Sequence, residues 1–105
     1  MYARVTLLEI DTVRTAMADA LDLFRDHTLD RLRAQPGYQG VWVLATAEGK
    51  GLLMSLWETE AQADIEGDHH FYEDELGRFA TLFRSAPGRD EYEVLLVDGP
   101  NQTVG

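Results

Sequence analysis

The chain has 105 residues, no Cys, and 19 acidic against 9 basic side chains, for a formal net charge of -10. That length suits one domain with a modest core, and the lack of Cys excludes disulfides, thiol catalysis and Cys-ligated zinc. The surplus of acids repels phosphate backbones and anionic lipid, so neither nucleic acid nor a membrane surface is an expected partner.

Tyr2 to Ile10 places apolar residues on both alternating faces, Ala3, Val5 and Leu7 against Tyr2, Leu8 and Ile10. This is the pattern of a central strand covered on both sides. Arg4 and Glu9 interrupt the run, which therefore lacks the unbroken apolar stretch of a signal peptide. No segment approaches the ~20 apolar residues that span a bilayer, and a soluble, cytoplasmic protein is the expectation. Asp11 or Thr12 is expected to cap a long helix whose core stripe runs through Val13, Met17, Ala20, Leu21, Phe24 and Thr28, continuing to Leu32. His27, about one helical turn beyond Phe24, is expected to point between helix and sheet. Gln35-Pro36-Gly37 ends the helix, because Pro cannot continue the hydrogen-bond ladder and disfavours helix in the residue before it.

Val41 to Thr46 and Leu52 to Trp57 read as two strands around the polar stretch Ala47-Glu48-Gly49-Lys50-Gly51, whose glycines favour a hairpin. Trp57 then stands at the last strand position, directly before Thr59-Glu60-Ala61-Gln62. The Thr59/Gln62 spacing is that of a capping box, in which each side chain satisfies the other residue's backbone N–H. A short helix is expected from Glu60 to about Glu66, broken at Gly67-Asp68. A second runs from about His69 to Arg84, with Tyr72, Leu76, Phe79 and Phe83 on one stripe. Ser85-Ala86-Pro87-Gly88 ends it. Glu91 to Val97 reads as the last strand, so the domain spans 1–98 and Gly99 to Gly105 reads as a flexible tail.

The order β-α-β-β-α-β predicts a ferredoxin-like α+β fold with a four-stranded antiparallel sheet and both helices on one face. The opposite face is left bare although the strands are apolar on both sides, and such a surface marks an interface. A homodimer packed sheet face to sheet face is the expected resolution.

With Trp57 to Ala63, the helix-ending Pro36-Gly37-Tyr38 and this strand order, residues 2–98 resemble the antibiotic biosynthesis monooxygenase family. That resemblance implies a dimeric α+β barrel. It further implies a cofactor-free monooxygenase acting on a small aromatic or quinol-type substrate, which once deprotonated is electron-rich enough to reduce oxygen without metal or flavin. Trp57 matches the family's Trp in this motif. Leu53 stands in place of the Asn four residues before it, and Ala63 in place of the Tyr six residues after it. The Arg of the following helix falls near Gly77, beside Arg78. Of the paired His in the quinol-type branch, Asp64 replaces the first and His69 or His70 serves for the second. The haem-degrading branch requires an Asn on the first strand, a Trp inside the helix after the third strand and a His on the next helix. The only Asn here is Asn101, and those Trp and His positions fall near Glu66 and Leu76, so no haem is expected.

The resemblance makes His69, His70, Tyr72 and Arg78 the catalytic candidates, and Trp57, His27, Phe79 and Phe83 the residues to line a substrate site. An imidazole titrates near neutral pH and could serve as base, with Tyr72 or Arg78 assisting a developing oxyanion. Each has a plainer reading. His69 and His70 could be solvated residues at a helix start, His27 an edge-of-core residue, and the aromatic stripe simply core. His69/Glu73 and His70/Asp74 have the spacing of paired ligands on a helix, but they sit in an acidic stretch of the kind that is usually solvated, and no metal is expected. Lys50-Gly51 fits the start of an RNA-binding strand, yet Leu52 and Met54 hold its base-stacking positions and cannot stack. The alternative to an enzyme is a non-catalytic dimeric barrel binding a small apolar ligand.

Overall fold

A computed structural model describes residues 1–13, 15–63, 88–99 and 102–104 of the chain. Strand β1 (Tyr2–Glu9) leads into helix α1 (Met17–Leu23), a π-helical turn (Phe24–Thr28) and helix α2 (Leu29–Arg33). Strands β2 (Tyr38–Ala45) and β3 (Lys50–Trp57) follow, then the short helix α3 (Glu60–Ala63). Strand β4 (Gly88–Glu93) completes the main sheet, and β5 (Val97–Gly99) pairs with β6 (Gln102–Val104) in a separate two-stranded ladder. The four-stranded sheet has the order β2-β3-β1-β4, and every neighbouring pair is antiparallel. This is the ferredoxin-like α+β topology, with β1 in the interior as its two-sided apolar pattern requires.

The helix begins later than its sequence suggests. Asp11 Oδ1 accepts a hydrogen bond from the Val13 N–H at 3.1 Å, and the Thr15 N–H donates to the Asp11 carbonyl at 3.0 Å. The Asp side chain thus closes a local turn instead of capping a helix, a known competition for short polar residues. Val13, expected on the apolar stripe, is consequently 94% exposed. Within the helical rod the Leu29 N–H donates to the Phe24 carbonyl, five residues back, which defines the π turn. At the other end the rod stops at Arg33, just before Pro36-Gly37. Gly37 has φ +80, and a Cβ there would collide with the Gln62 side chain.

The hairpin forms as expected, with β3 starting at Lys50. The Thr46 N–H donates to the Lys50 carbonyl at 2.8 Å, and the Lys50 N–H donates to Thr46 Oγ1 at 3.2 Å. The last strand of the sheet lies earlier than expected. Gly88–Glu93 pairs with β1, Val94 adds a bond from its N–H to the Met1 carbonyl at 2.9 Å, and 94–96 is not strand. Leu95 and Leu96 are both exposed. The strand expected over Glu91 to Val97 is realised in the main sheet only over Glu91 to Glu93, and β1 pairs further with the polar residues Gly88 to Asp90 that precede it. Part of the stretch expected as a tail, 102–104, is paired in the β5–β6 ladder.

Register divides the sheet into two faces. Tyr38, Trp57, Tyr2 and Glu93 form one row across the strands, and Val41, Ser55, Arg4 and Glu91 the next. This face carries the helices: Leu32, Trp57 and Ala63 form the buried cluster, with Tyr2, Phe24, Tyr38 and Val41 packed against it. The opposite face presents the rows Trp42-Met54-Val5 and Leu44-Leu52-Leu7, and Leu7, Trp42, Leu44 and Tyr92 are exposed there.

Candidate functional site

The corner where β3 passes into α3 is built by local rules. Alternation along β3 turns Trp57 and Ser55 to the helix-covered face, and the chain then enters α3 through the expected capping box. The Thr59 N–H donates to Gln62 Oε1 at 3.1 Å, and the Gln62 N–H donates to Thr59 Oγ1 at 3.2 Å. The Glu58 N–H donates to the Gly37 carbonyl at 3.0 Å, tying this corner to the end of the first helical rod. Gly37 lacks the Cβ that would displace Gln62, so the two sequence signals, Pro36-Gly37 and Thr59/Gln62, meet at one place.

Trp57 is 0% exposed. Its indole N–H donates to Ser55 Oγ at 2.8 Å, and its ring stands edge-on to Tyr38 with centroids 5.9 Å apart. Both the apolar body and the polar tip of the indole are therefore satisfied within the protein. These contacts fix the ring plane within the buried cluster.

Beside it, one row along the sheet, Arg4 is buried to 1% exposure. Its Nη1 donates to Glu91 Oε1 at 3.0 Å and to the Ala63 carbonyl at 3.1 Å. A buried guanidinium is costly without a counter-charge and acceptors; here Glu91 on β4 supplies the carboxylate and Ala63 on α3 supplies a carbonyl. Thr6, Ser55 and Thr28 are also buried. The covered face therefore combines an aromatic cluster with a strip of buried polar groups.

Arg4 and Glu91 were not singled out from the sequence. The available signal was parity: Arg4 shares a strand face with Tyr2 and Thr6, so a core-facing cation follows once that face is the covered one. Of the residues that were singled out, Trp57 sits in this cluster. His27 lies on the π turn and is exposed, outside it. His69, His70, Tyr72, Arg78, Phe79 and Phe83 lie outside the described residues, as does the second helix expected to carry them. Among the described residues no helix is long and apolar enough to cross a membrane.

The chain shares its fold with solved structures described as antibiotic biosynthesis monooxygenases. A Streptomyces coelicolor monooxygenase solved with nanaomycin D is similar at TM-score 0.72 and 16% identity, over 95% of this chain and 92% of that one. A Nitrosomonas europaea protein of unknown function is similar at TM-score 0.71 and 20% identity, over 96% and 95%. A provisionally assigned antibiotic biosynthesis monooxygenase, also from Nitrosomonas europaea, is similar at TM-score 0.70 and 15% identity, over 90% and 99%. No protein-family model and no curated protein matches the sequence. Likeness at such identities establishes the fold; the reaction has to be argued from side chains.

Proposed function

We propose that the protein is a cofactor-independent monooxygenase that oxidises a small aromatic or quinol-type substrate as a homodimer. The observation that carries this reading is Trp57, held edge-on to Tyr38 and by Ser55 at the β3–α3 corner of a fold shared with a monooxygenase. In this scheme Trp57 orients the substrate ring together with Phe79 and Phe83. His69 or His70 removes the substrate proton, and Tyr72 or Arg78 stabilises the oxyanion that results. The resulting carbanion or phenolate supplies electrons to O2. For an anthrone-type ring the balance is complete without another reductant: the CH2 carbon becomes C=O with one oxygen atom. The second oxygen leaves as water with the two substrate hydrogens. The partner copy covers the bare sheet face that carries Leu7, Trp42 and Leu44.

The full burial of Trp57 favours one competing reading, a non-catalytic dimeric barrel in which the indole is core. Oxygen uptake separates the two. The enzyme should consume O2 with anthrone- or quinol-type compounds without added metal or flavin, and replacing both His69 and His70 by Ala should abolish it. Unchanged turnover in the double variant removes the acid–base assignment. No uptake, with ligand-dependent thermal stabilisation alone, leaves the binding protein.

A further inference from the structure

We propose that the run Val94-Leu95-Leu96-Val97 is an exchange arm that adds as a strand to the open edge of β2 in a second copy of the chain. The second copy's run does the same in return. This rests on the homodimer reading above and adds an edge contact to the contact between sheet faces. The two edges of the four-stranded sheet, β2 and β4, differ in kind. β4 carries Arg89, Asp90, Glu91 and Glu93 within Gly88–Glu93, and charge is one way an exposed edge is kept from pairing. β2 has no charged residue between Tyr38 and Ala45, and Trp42, Val43 and Leu44 are all exposed. Its bulge lies at Tyr38/Gly40, which leaves Val41 to Ala45 in regular register. Among the described residues β2 pairs with β3 alone. A regular, uncharged, apolar edge of this kind is a template for another strand.

The same chain carries a segment of matching character. Val94, Leu95, Leu96 and Val97 are uncharged and apolar, with a β-branched residue at each end. Residues 94–96 belong to no strand, and Leu95 is 73% and Leu96 72% exposed. Two consecutive leucines are thus left in water by their own protomer. Val97 opens the β5–β6 ladder, which is separate from the main sheet, and two short strands by themselves are marginal in water. Edge and run do not meet within one protomer. The run continues from β4, at one end of the order β2-β3-β1-β4, and β2 lies three strand spacings away, about 14 Å. A two-fold axis brings each run to the other copy's edge, and such reciprocal pairing closes at two chains.

The chain has no Cys, so single substitutions give a clean cross-linking test. Val43→Cys or Leu44→Cys protein is mixed with Leu95→Cys or Leu96→Cys protein and oxidised. At least one mixture should give a covalent dimer of unlike chains, because a disulfide forms only where the Cα atoms come within about 7 Å. In sedimentation equilibrium the double variant Leu95→Asp/Leu96→Asp should raise the dimer Kd by about 10- to 100-fold. Its unfolding midpoint at dilutions where the parent is monomeric should match the parent's, since both side chains are exposed. A parent-like Kd in that variant overturns the exchange arm and leaves the face-to-face homodimer standing. So does the lack of an unlike cross-link in every mixture, or Val43→Cys linking to itself in its place. A parent protein that sediments as a single chain refutes the homodimer reading, and the arm falls with it.

Discussion

Trp57 and Trp42 are the same side chain on adjacent strands of one sheet, yet one is 0% exposed and the other 58%. Trp57 lies on the helix-covered face with Tyr38, Tyr2 and Leu32 around it; Trp42 lies on the other face beside Met54 and Leu44. Hydrophobicity cannot distinguish them. What separates them is parity along the strand together with the side on which the helices pack, since shifting one residue along a strand moves a side chain through the sheet. The covered face holds the buried cluster and, beside it, the Arg4–Glu91 ion pair. The other is an apolar surface with Leu7, Trp42 and Leu44 exposed on it, the face that the proposed homodimer would cover.

The sharpest way to break this comparison is to truncate each Trp. Trp57→Ala should cost about 3–5 kcal/mol in denaturant unfolding, as for large aromatic residues removed from a packed core. A cost near zero would show that the covered face is not the core. Trp42→Asp should leave the chain folded but shift the proposed homodimer toward monomer, with association weakened by about 2 kcal/mol or more, the size of an interface hot spot. Sedimentation of the parent as a stable 11.8 kDa species would refute the dimer outright. The smallest effect belongs to the junction between the two Trp-bearing strands and α3. Thr59→Ala removes one half of the capping box and should cost about 1 kcal/mol; no change in the unfolding midpoint would mean that Gly37 and Glu58 hold the corner alone.

The parts of the site that were legible in the sequence are those made by neighbours. Thr59 and Gln62 are three residues apart and cap each other through short, local bonds, so their spacing was sufficient. Pro36-Gly37 stops a helix by the covalent geometry of its own two residues. Arg4 illustrates the opposite case. Its carboxylate partner is 87 residues away, on a strand that meets β1 only after the chain has folded. The helix start differs for another reason: a short polar side chain such as Asp11 can cap a helix or close a turn, and here it accepts from the Val13 N–H in a turn. His27 misses the covered face because it sits inside the π turn and is exposed, while Phe24, Thr28 and Leu32 keep the expected core stripe around it.

From the amino-acid order alone came the strand count of the main sheet, the hairpin, the capping box and the α+β topology, all products of periodicity and of bonds between near neighbours. Tertiary structure alone decided which strand segment closes the sheet, that Val13 faces water, and that Arg4 lies buried against Glu91 and Ala63. Those outcomes depend on register between distant strands, and a two-residue period repeats itself identically at every even shift, so the pattern cannot specify which partner is met.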